Sequence, residues 1–260
     1  PGESTGRIVD RQRKQSDYAE LGPAYCRRAK TGYPEEADPA QAELFKKYAA
    51  EYCADGDKYR AGDAVNFAIG QGDSLATPLQ IATMYAAIAN GGTLFEPHLA
   101  KAVLAPDGTP VRTIEPKQNG RLPVAPATLE YIRAALVGVP REGTAKIAFS
   151  GFPLDEIPIA AKTGTAEVDG KQTTSWFASY APADKPRYAV VFMVTQGGTG
   201  AGTSAPSVRA VYEALFGVVD GVAGRAPSVL KDGAPQSALP RPGVLAQPSS
   251  ASSLPAAASR

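Results

Sequence analysis

The 260-residue sequence has little of the chemistry found in metal and redox sites, because it contains only two cysteines and one histidine. Cys26 and Cys53 lack the spacing of a C-x-x-C pair, and His98 has no second histidine, so we expect no metal and no cofactor. The sequence around His98 offers no nucleophile with an orienting acid, which favours a structural histidine. The two cysteines bracket a polar segment and either form a disulfide or remain free thiols.

An excess of charge of one sign and a long apolar run are also absent. The formal net charge of +1 gives no field that would attract nucleic acid or an anionic membrane. We therefore predict that the basic cluster of Arg11, Arg13 and Lys14 lies in a solvated loop. No stretch reaches the ~20 apolar residues that cross a bilayer, and the residues from Pro1 show no signal-peptide pattern. We expect any export signal or membrane anchor to lie outside this chain.

Hydrophobic residues make up 43% of the sequence, which is enough to form the core of one globular domain. The composition changes after Gly217, and residues 218–260 are rich in alanine, proline, serine and glycine. Such a segment has too little bulky apolar surface to offset the entropy of ordering it. We therefore predict a body over residues 1–217 and a disordered tail over residues 218–260.

Apolar periodicity predicts an α+β fold for the body. Helices are expected at residues 40–52, 78–90, 127–137 and 205–215. Thr77 and Gln80 have the spacing of a capping box, which marks the start of the second of these helices. Strands are expected at residues 157–166, 174–181 and 187–195, with turn residues between them. Strands paired in sequence order, with helices before and after, predict an antiparallel sheet packed with helices.

The best candidate for a substrate site is Lys-Thr-Gly-Thr, residues 162–165, at the end of an apolar strand. Lys162 offers a positive charge, and Thr163 and Thr165 alternate to one face of an extended strand, where both can hydrogen-bond a substrate carboxylate. Gly164 has no side chain to block a second backbone, so an extended peptide can lie alongside. The Thr165 N–H can then stabilise negative charge on a carbonyl oxygen under attack, an effect of about 3 kcal/mol per donor.

Several separated features surround this strand in a fixed order. They are residues 1–8, 66–73, 77–80 with 89–92, 143–145, 162–167 and 175–177. In these features, from Pro1 to about Gly217, the sequence resembles the transpeptidase domain of class B penicillin-binding proteins. Within that family it is most similar to the elongation-type branch, which builds side-wall peptidoglycan.

The resemblance implies a serine that is acylated by a peptidoglycan stem peptide ending in D-Ala-D-Ala, with transfer to an amine of a neighbouring strand. Beta-lactams acylate the same serine. In this family, S-x-x-K and S-x-N motifs precede the Lys-Thr-Gly strand. The present sequence contains no S-x-N, and its one S-x-x-K, from Ser228 to Lys231, follows the last predicted helix, so we reject it as the nucleophile. We expect a C-terminal piece of the domain, inactive alone, whose N-terminal remainder supplies the serine.

On this interpretation Lys162 and Thr165 are catalytic, and Thr163, Gly164, Thr165 and Trp176 bind substrate. The implied partners are the stem peptide, beta-lactams, the N-terminal remainder of the same protein and other cell-wall synthesis proteins. The implied location is the extracytoplasmic face of a bacterial membrane. Residues 15–57, which hold both cysteines, are longer and more polar than the family pattern and are either a partner-binding or disulfide-tied insertion or an inert surface excursion.

Three other interpretations compete with this one. Residues 197–204 lie between a strand and a helix, as a phosphate-binding loop does, but Thr203 stands where such a loop needs lysine. We favour a flexible glycine turn at the rim of the substrate groove. A beta-lactam sensor or hydrolase of the same fold and a non-catalytic partner-binding module are the two remaining alternatives.

Overall fold

The computed structural model describes residues 4–168, 170–224, 230–231 and 234–235. It divides into two compact units. Unit 1 comprises Pro1–Ala82, Ala161–Ser179 and Val190–Val208, and unit 2 comprises Thr83–Ala160, Tyr180–Ala189 and Arg209–Arg260. The first three residues of the opening motif lie outside the described residues.

The fold is α+β, as predicted. Its helices are α1 (Arg11–Thr31), α2 (Pro39–Asp55), α3 (Ala61–Ala68), α4 (Pro78–Ala89), α5 (Pro126–Arg141) and α6 (Ala205–Phe216). Its strands are β1 (Thr93–Phe95), β2 (Ala102–Leu104), β3 (Pro110–Thr113), β4 (Gln118–Arg121), β5 (Ala160–Ala166), β6 (Thr174–Ala181), β7 (Tyr188–Val194), β8 (Leu230–Lys231) and β9 (Ala234–Pro235). The four predicted helices correspond to α2, α4, α5 and α6, and the three predicted strands to β5, β6 and β7. The sequence patterns gave no prediction for α1, α3 or the shorter strands.

Unit 1 begins with a helical hairpin of α1 and α2, closed by a disulfide between Cys26 and Cys53 whose Cα atoms are 4.8 Å apart. The disulfide is one of the two alternatives that the sequence leaves open. The Tyr18 hydroxyl donates to the Cys53 carbonyl at 2.6 Å, and the Tyr25 and Tyr52 ring centroids lie 4.4 Å apart. The disulfide and the aromatic packing therefore join the two helices near the same point.

The basic cluster near residue 11 lies in a helix, so the predicted loop is wrong, although Arg11 and Arg13 are exposed as predicted. Asp10 caps α1 by accepting from the Arg13 N–H at 2.7 Å. Arg13 pairs with Asp17 at 2.8 Å, and Lys14 pairs with Asp63 at 3.0 Å. Arg13 and Lys14 thus form ion pairs from the surface of a helix, whereas the local sequence predicted a loop.

The start of α4 has the predicted capping box. The Thr77 hydroxyl accepts from the Gln80 N–H at 3.1 Å, and the Gln80 side-chain oxygen accepts from the Thr77 N–H at 2.9 Å. Each side chain satisfies a backbone donor that the first helical turn leaves unpaired. Gln80 also donates to the Ser4 carbonyl at 3.3 Å, which attaches the opening segment to this helix.

Unit 2 contains two antiparallel strand pairs, β1 with β4 and β2 with β3, in which Thr93 lies opposite Arg121 and Ala102 opposite Thr113. Its core includes large buried side chains that are far apart in sequence: Phe149, Ile159, Tyr180 and Tyr212. Arg209 ties α6 to the loop after α5 by donating to the Ala148 and Ser150 carbonyls at 3.1 and 2.6 Å. The buried core and the hydrogen bonds of Arg209 together stabilise unit 2.

The predicted tail, residues 218–260, lies mostly outside the described residues. In its described part, Val218 is buried, Val219 pairs with Val222, and β8 pairs with β9. Among the described helices, none is both long and apolar enough to span a bilayer.

Candidate functional site

The candidate site is built on β5, which lies at the edge of the three-stranded sheet β5-β6-β7. Ala160 and Ala161 are fully buried, whereas Lys162 and Thr165 are exposed. The strand is therefore anchored at its apolar start and presents polar groups where it emerges. An edge strand also has backbone groups that its own sheet does not pair, and an extended peptide can bind there as an added strand.

Lys162 and Thr163 lie side by side at the exposed part of this strand. The Lys162 ammonium donates to the Thr163 carbonyl at 2.6 Å. This contact is local and exposed, and a carboxylate competes well for an ammonium group because the charged hydrogen bond is about twice as strong as a neutral one. Lys162 is thus available as an anion-binding group on the strand.

Gly164 has a structural reason to be glycine besides the predicted access for substrate. A Cβ at this position would lie 3.0 Å from the Trp176 Cβ on β6. A Cβ at Gly200 would lie 2.5 Å from the Gly164 oxygen and 2.9 Å from its nitrogen, and would collide with the Trp176 carbonyl. A side chain at Gly200 would therefore require the backbone to shift, and one at Gly164 would require Trp176 to move by a few tenths of an ångström.

The glycine-rich segment, residues 197–204, forms a hydrogen-bonded turn whose last part, Gly200–Ser204, is π-helical. The Thr203 hydroxyl donates to the Gly197 carbonyl at 2.6 Å. The Gly200 N–H donates to the Thr165 hydroxyl at 3.3 Å. The segment is the predicted glycine turn and lies next to β5, and its Thr203 hydroxyl is engaged within the turn.

Buried serines join this turn to β6. Ser175 donates to the Thr199 carbonyl at 2.9 Å, and its hydroxyl lies 2.6 Å from that of Ser204. The Ser204 N–H also donates to the Ser175 hydroxyl at 3.2 Å. Both serines are fully buried, so these bonds satisfy polar groups that would otherwise be costly to bury. The serine pair fixes the turn relative to the sheet.

Gln71 also contacts β5, and we did not predict this role from the sequence. The Gln71 side-chain amide donates to the Thr165 carbonyl at 3.1 Å. Gly70 and Gly72, on either side, have φ values of +77° and +89°, which side-chain-bearing residues rarely adopt. The Gly-Gln-Gly motif could have indicated this role from the sequence, because two glycines around a polar residue are typical of a tight turn that exposes the polar side chain.

The sequence-predicted residues of β5 and β6 lie on neighbouring strands, and the other candidates belong to other elements. Cys26 and Cys53 lie in the helical hairpin, and His98 is an exposed residue of unit 2 whose Nδ1 lies 3.3 Å from the Glu96 carbonyl. Ser228 lies outside the described residues. In the part of the chain that is described, no three histidine, cysteine or acidic side chains cluster as a metal site would require.

Comparisons with known proteins show what the chain is similar to. The family model for the penicillin-binding protein transpeptidase domain matches residues 11–213. The peptidoglycan D,D-transpeptidase PbpA of Mycolicibacterium smegmatis is 35% identical over 157 residues, which cover 57% of this chain and 31% of PbpA. The peptidoglycan D,D-transpeptidase MrdA of Acinetobacter baumannii is 29% identical over 173 residues, or 60% of this chain and 25% of MrdA.

Two examples of solved structures with similar folds are penicillin-binding proteins. Penicillin-binding protein A of M. tuberculosis, in its imipenem acyl-enzyme complex, aligns with a TM-score of 0.51 and 34% identity, over 59% of this chain and 34% of that protein. PBP2 of Pseudomonas aeruginosa, in complex with WCK 5153, aligns with a TM-score of 0.52 and 31% identity, over 67% of this chain and 37% of that protein. The chain therefore spans about a third of the length of these relatives.

Proposed function

Because this chain belongs to the penicillin-binding protein transpeptidase domain family, we propose that it forms the substrate-binding side of a peptidoglycan D,D-transpeptidase site. The observation that carries the proposal is the Lys-Thr-Gly-Thr segment, residues 162–165, on an edge strand inside the matched region. Relatives with peptidoglycan D,D-transpeptidase in their names support the reaction class. The acyl-enzyme complex of the M. tuberculosis protein supports a covalent intermediate and beta-lactam binding.

In the proposed reaction a serine hydroxyl attacks the carbonyl carbon of the penultimate D-Ala of a stem peptide. The peptide bond breaks, the terminal D-Ala leaves with the proton on its nitrogen, and an ester to the serine remains. An amine of a neighbouring stem peptide then attacks the ester, forms the cross-link and returns the proton to the serine oxygen. A beta-lactam stops the reaction at the ester.

The residues of β5 have separate roles in this proposal. Lys162, with the hydroxyls of Thr163 and Thr165, binds the carboxylate of the terminal D-Ala. Lys162 also supports proton transfer to and from the serine. The Thr165 N–H stabilises the oxyanion of each tetrahedral intermediate. The half-buried Trp176, against Gly164, forms part of the groove wall.

The nucleophilic serine is proposed to come from outside these 260 residues. The chain contains no S-x-N motif, and its one S-x-x-K motif follows α6 in the chain, whereas the family places both motifs before the Lys-Thr-Gly strand. We therefore expect this chain alone to form no acyl-enzyme. The disulfide in the helical hairpin is consistent with a location outside the cytoplasm, where such bonds persist.

Labelling of the full-length protein with a fluorescent penicillin tests this function. We expect a stable adduct on a serine outside this chain, and Lys162→Ala should slow its formation by about 100-fold, since catalytic proton-transfer groups contribute 10²–10⁴-fold. Lys171→Ala, which removes an exposed lysine of the same unit, should react like the wild type. An adduct that turns over within seconds indicates the hydrolase instead. The absence of any adduct on correctly folded protein leaves the non-catalytic module.

A further inference from the structure

The proposed reaction does not use the Gly-Gln-Gly turn, although the central side chain of this turn reaches the substrate strand. Gln71 is separated from Thr165 by 94 positions, and its amide donates to the Thr165 carbonyl at 3.1 Å. The Gln71 N–H donates to the Asn66 carbonyl at 2.8 Å. The backbone of Gln71 is thus fixed, and its side chain extends from that fixed point to β5.

The segment that follows the turn is anchored as well. Arg7 and Leu75 exchange two backbone hydrogen bonds, each of 2.7 Å. The Arg7 guanidinium donates through Nε to the Asp73 carbonyl at 2.9 Å. The turn thus has the Gln71–Asn66 contact before it and these contacts after it. None of these contacts involves β5, so the turn is anchored independently of that strand.

Thr165 is consequently held at two of its atoms by two separate segments. Gln71 donates to its carbonyl oxygen, and the Gly200 N–H donates to its hydroxyl at 3.3 Å. Two bonds to different atoms of one residue restrict its rotation about the strand axis, as well as its displacement. The Thr165 N–H belongs to the preceding planar peptide group, which meets the peptide group of the Thr165 carbonyl at the Thr165 Cα. Holding the carbonyl and the side chain therefore limits how far the N–H can turn about that atom.

We propose that Gln71 is a positioning residue, which orients Thr165 so that its N–H faces the acyl carbonyl oxygen. This inference rests on the proposed transpeptidase function. Gln71 does not touch the reacting atoms, and it acts through the backbone of Thr165. Preorganised donors stabilise an oxyanion because they need no rearrangement during the reaction, so a loosened donor lowers the rate of the acylation step more than it lowers ground-state binding.

Gln71→Glu in the full-length protein tests this role, because glutamate keeps the side-chain length and replaces the amide donor with acceptor oxygens. Gln80→Glu is the matched control. It removes the same kind of donor from another backbone carbonyl of unit 1, that of Ser4, and keeps the oxygen that accepts from Thr77. Both variants should therefore lose one hydrogen bond of similar strength, and only one of those bonds is on Thr165.

The measurement is the acylation of each protein by a fluorescent penicillin, separated into the binding constant and the first-order acylation rate, with the melting temperature recorded alongside. We expect Gln71→Glu to lower the first-order rate about 10-fold, equivalent to one hydrogen bond of about 1.4 kcal/mol, and to change the binding constant by less than about twofold. Gln80→Glu should acylate within about twofold of the wild type.

Each of the other outcomes is decisive. If the wild type and Gln80→Glu acylate normally and Gln71→Glu does so as well, the positioning role is overturned and the proposed function stands. A loss in Gln71→Glu that lies wholly in binding, or that only follows a drop in melting temperature, also overturns it. If the folded wild type forms no adduct, the proposed function fails and this role fails with it.

Discussion

Replacing Gly200 with alanine should displace the glycine-rich turn from β5 and slow acylation. The new Cβ would lie 2.5 Å from the Gly164 oxygen, and ordinary van der Waals contact begins near 3.4 Å, so the difference, 3.4 minus 2.5, requires a shift of about 0.9 Å. All three neighbouring atoms belong to the backbone, namely the oxygen and nitrogen of Gly164 and the oxygen of Trp176, so no side-chain rotation can relieve the overlap.

A displacement of about 1 Å at an active site is enough to cost about 100-fold in rate, and overpacking costs about 1–3 kcal/mol of stability. We therefore expect the Gly200→Ala full-length protein to acylate about 100-fold more slowly than the wild type and to melt at a lower temperature. The rate is measured with a fluorescent penicillin, and the stability by thermal unfolding.

Gly202→Ala is the control within the same turn. Its Cβ would lie 3.1 Å from the Thr199 hydroxyl, a single side-chain atom that needs to move by only a few tenths of an ångström while it accepts from the Gly202 N–H. The acylation rate of this variant should therefore remain within a few fold of the wild type. Wild-type acylation by Gly200→Ala would refute the inference that the turn holds β5 in its reactive position.

Two further predictions concern stability. The double variant Cys26→Ser, Cys53→Ser should destabilise the helical hairpin by about 3.5 kcal/mol, the loop-closure estimate for a separation of 27 residues, and should leave the acylation rate unchanged. A protease-sensitivity assay of residues 11–55 measures the loss of stability. A large fall in the acylation rate would show instead that the hairpin supports the site. Burial, and then the neighbouring Tyr180, raise the pKa of Tyr85 to about 12 from the model-compound value of 10.0. Since the pKa of Tyr85 is higher in the folded state than in the unfolded state, its contribution to the free energy of unfolding is complete below pH 10. That contribution is lost as the pH rises towards 12, by at most about 1.4 kcal/mol per pH unit. Urea unfolding between pH 9 and about 11 should therefore show a steeper loss for the wild type than for Tyr85→Phe, and equal slopes would contradict the burial of a neutral tyrosine.

The sequence predicted the elements whose signals are local. The start of α4 was predictable because Thr77 and Gln80 cap a helix from within one turn. Residues 160–166 were predictable as a strand because apolar residues lead directly into Lys-Thr-Gly-Thr. By contrast, α1 carries many charged residues and an internal proline, Pro23, and it depends on α2 and the disulfide for its packing.

The supports of the candidate site were not predictable, because they join distant positions. The Gln71 contact with Thr165 spans 94 residues, and the Ser175 contact with Ser204 spans 29. From the sequence, Gly200 is one of several glycines in a predicted flexible turn. Only the structure shows that position 200 requires glycine, because the backbone of Gly164 lies beside it. Local patterns thus identified the groups that would meet a substrate, and the folded chain identified the groups that hold them.

The most direct test of the central claim is a crystal structure of the full-length protein acylated by a penicillin. We predict that the acyl carbonyl oxygen lies about 2.7–3.1 Å from the Thr165 nitrogen, and that the ligand carboxylate contacts Lys162 or the hydroxyls of Thr163 and Thr165. An acyl-enzyme whose carbonyl oxygen points away from β5, with no ligand contact to residues 162–165, would contradict it.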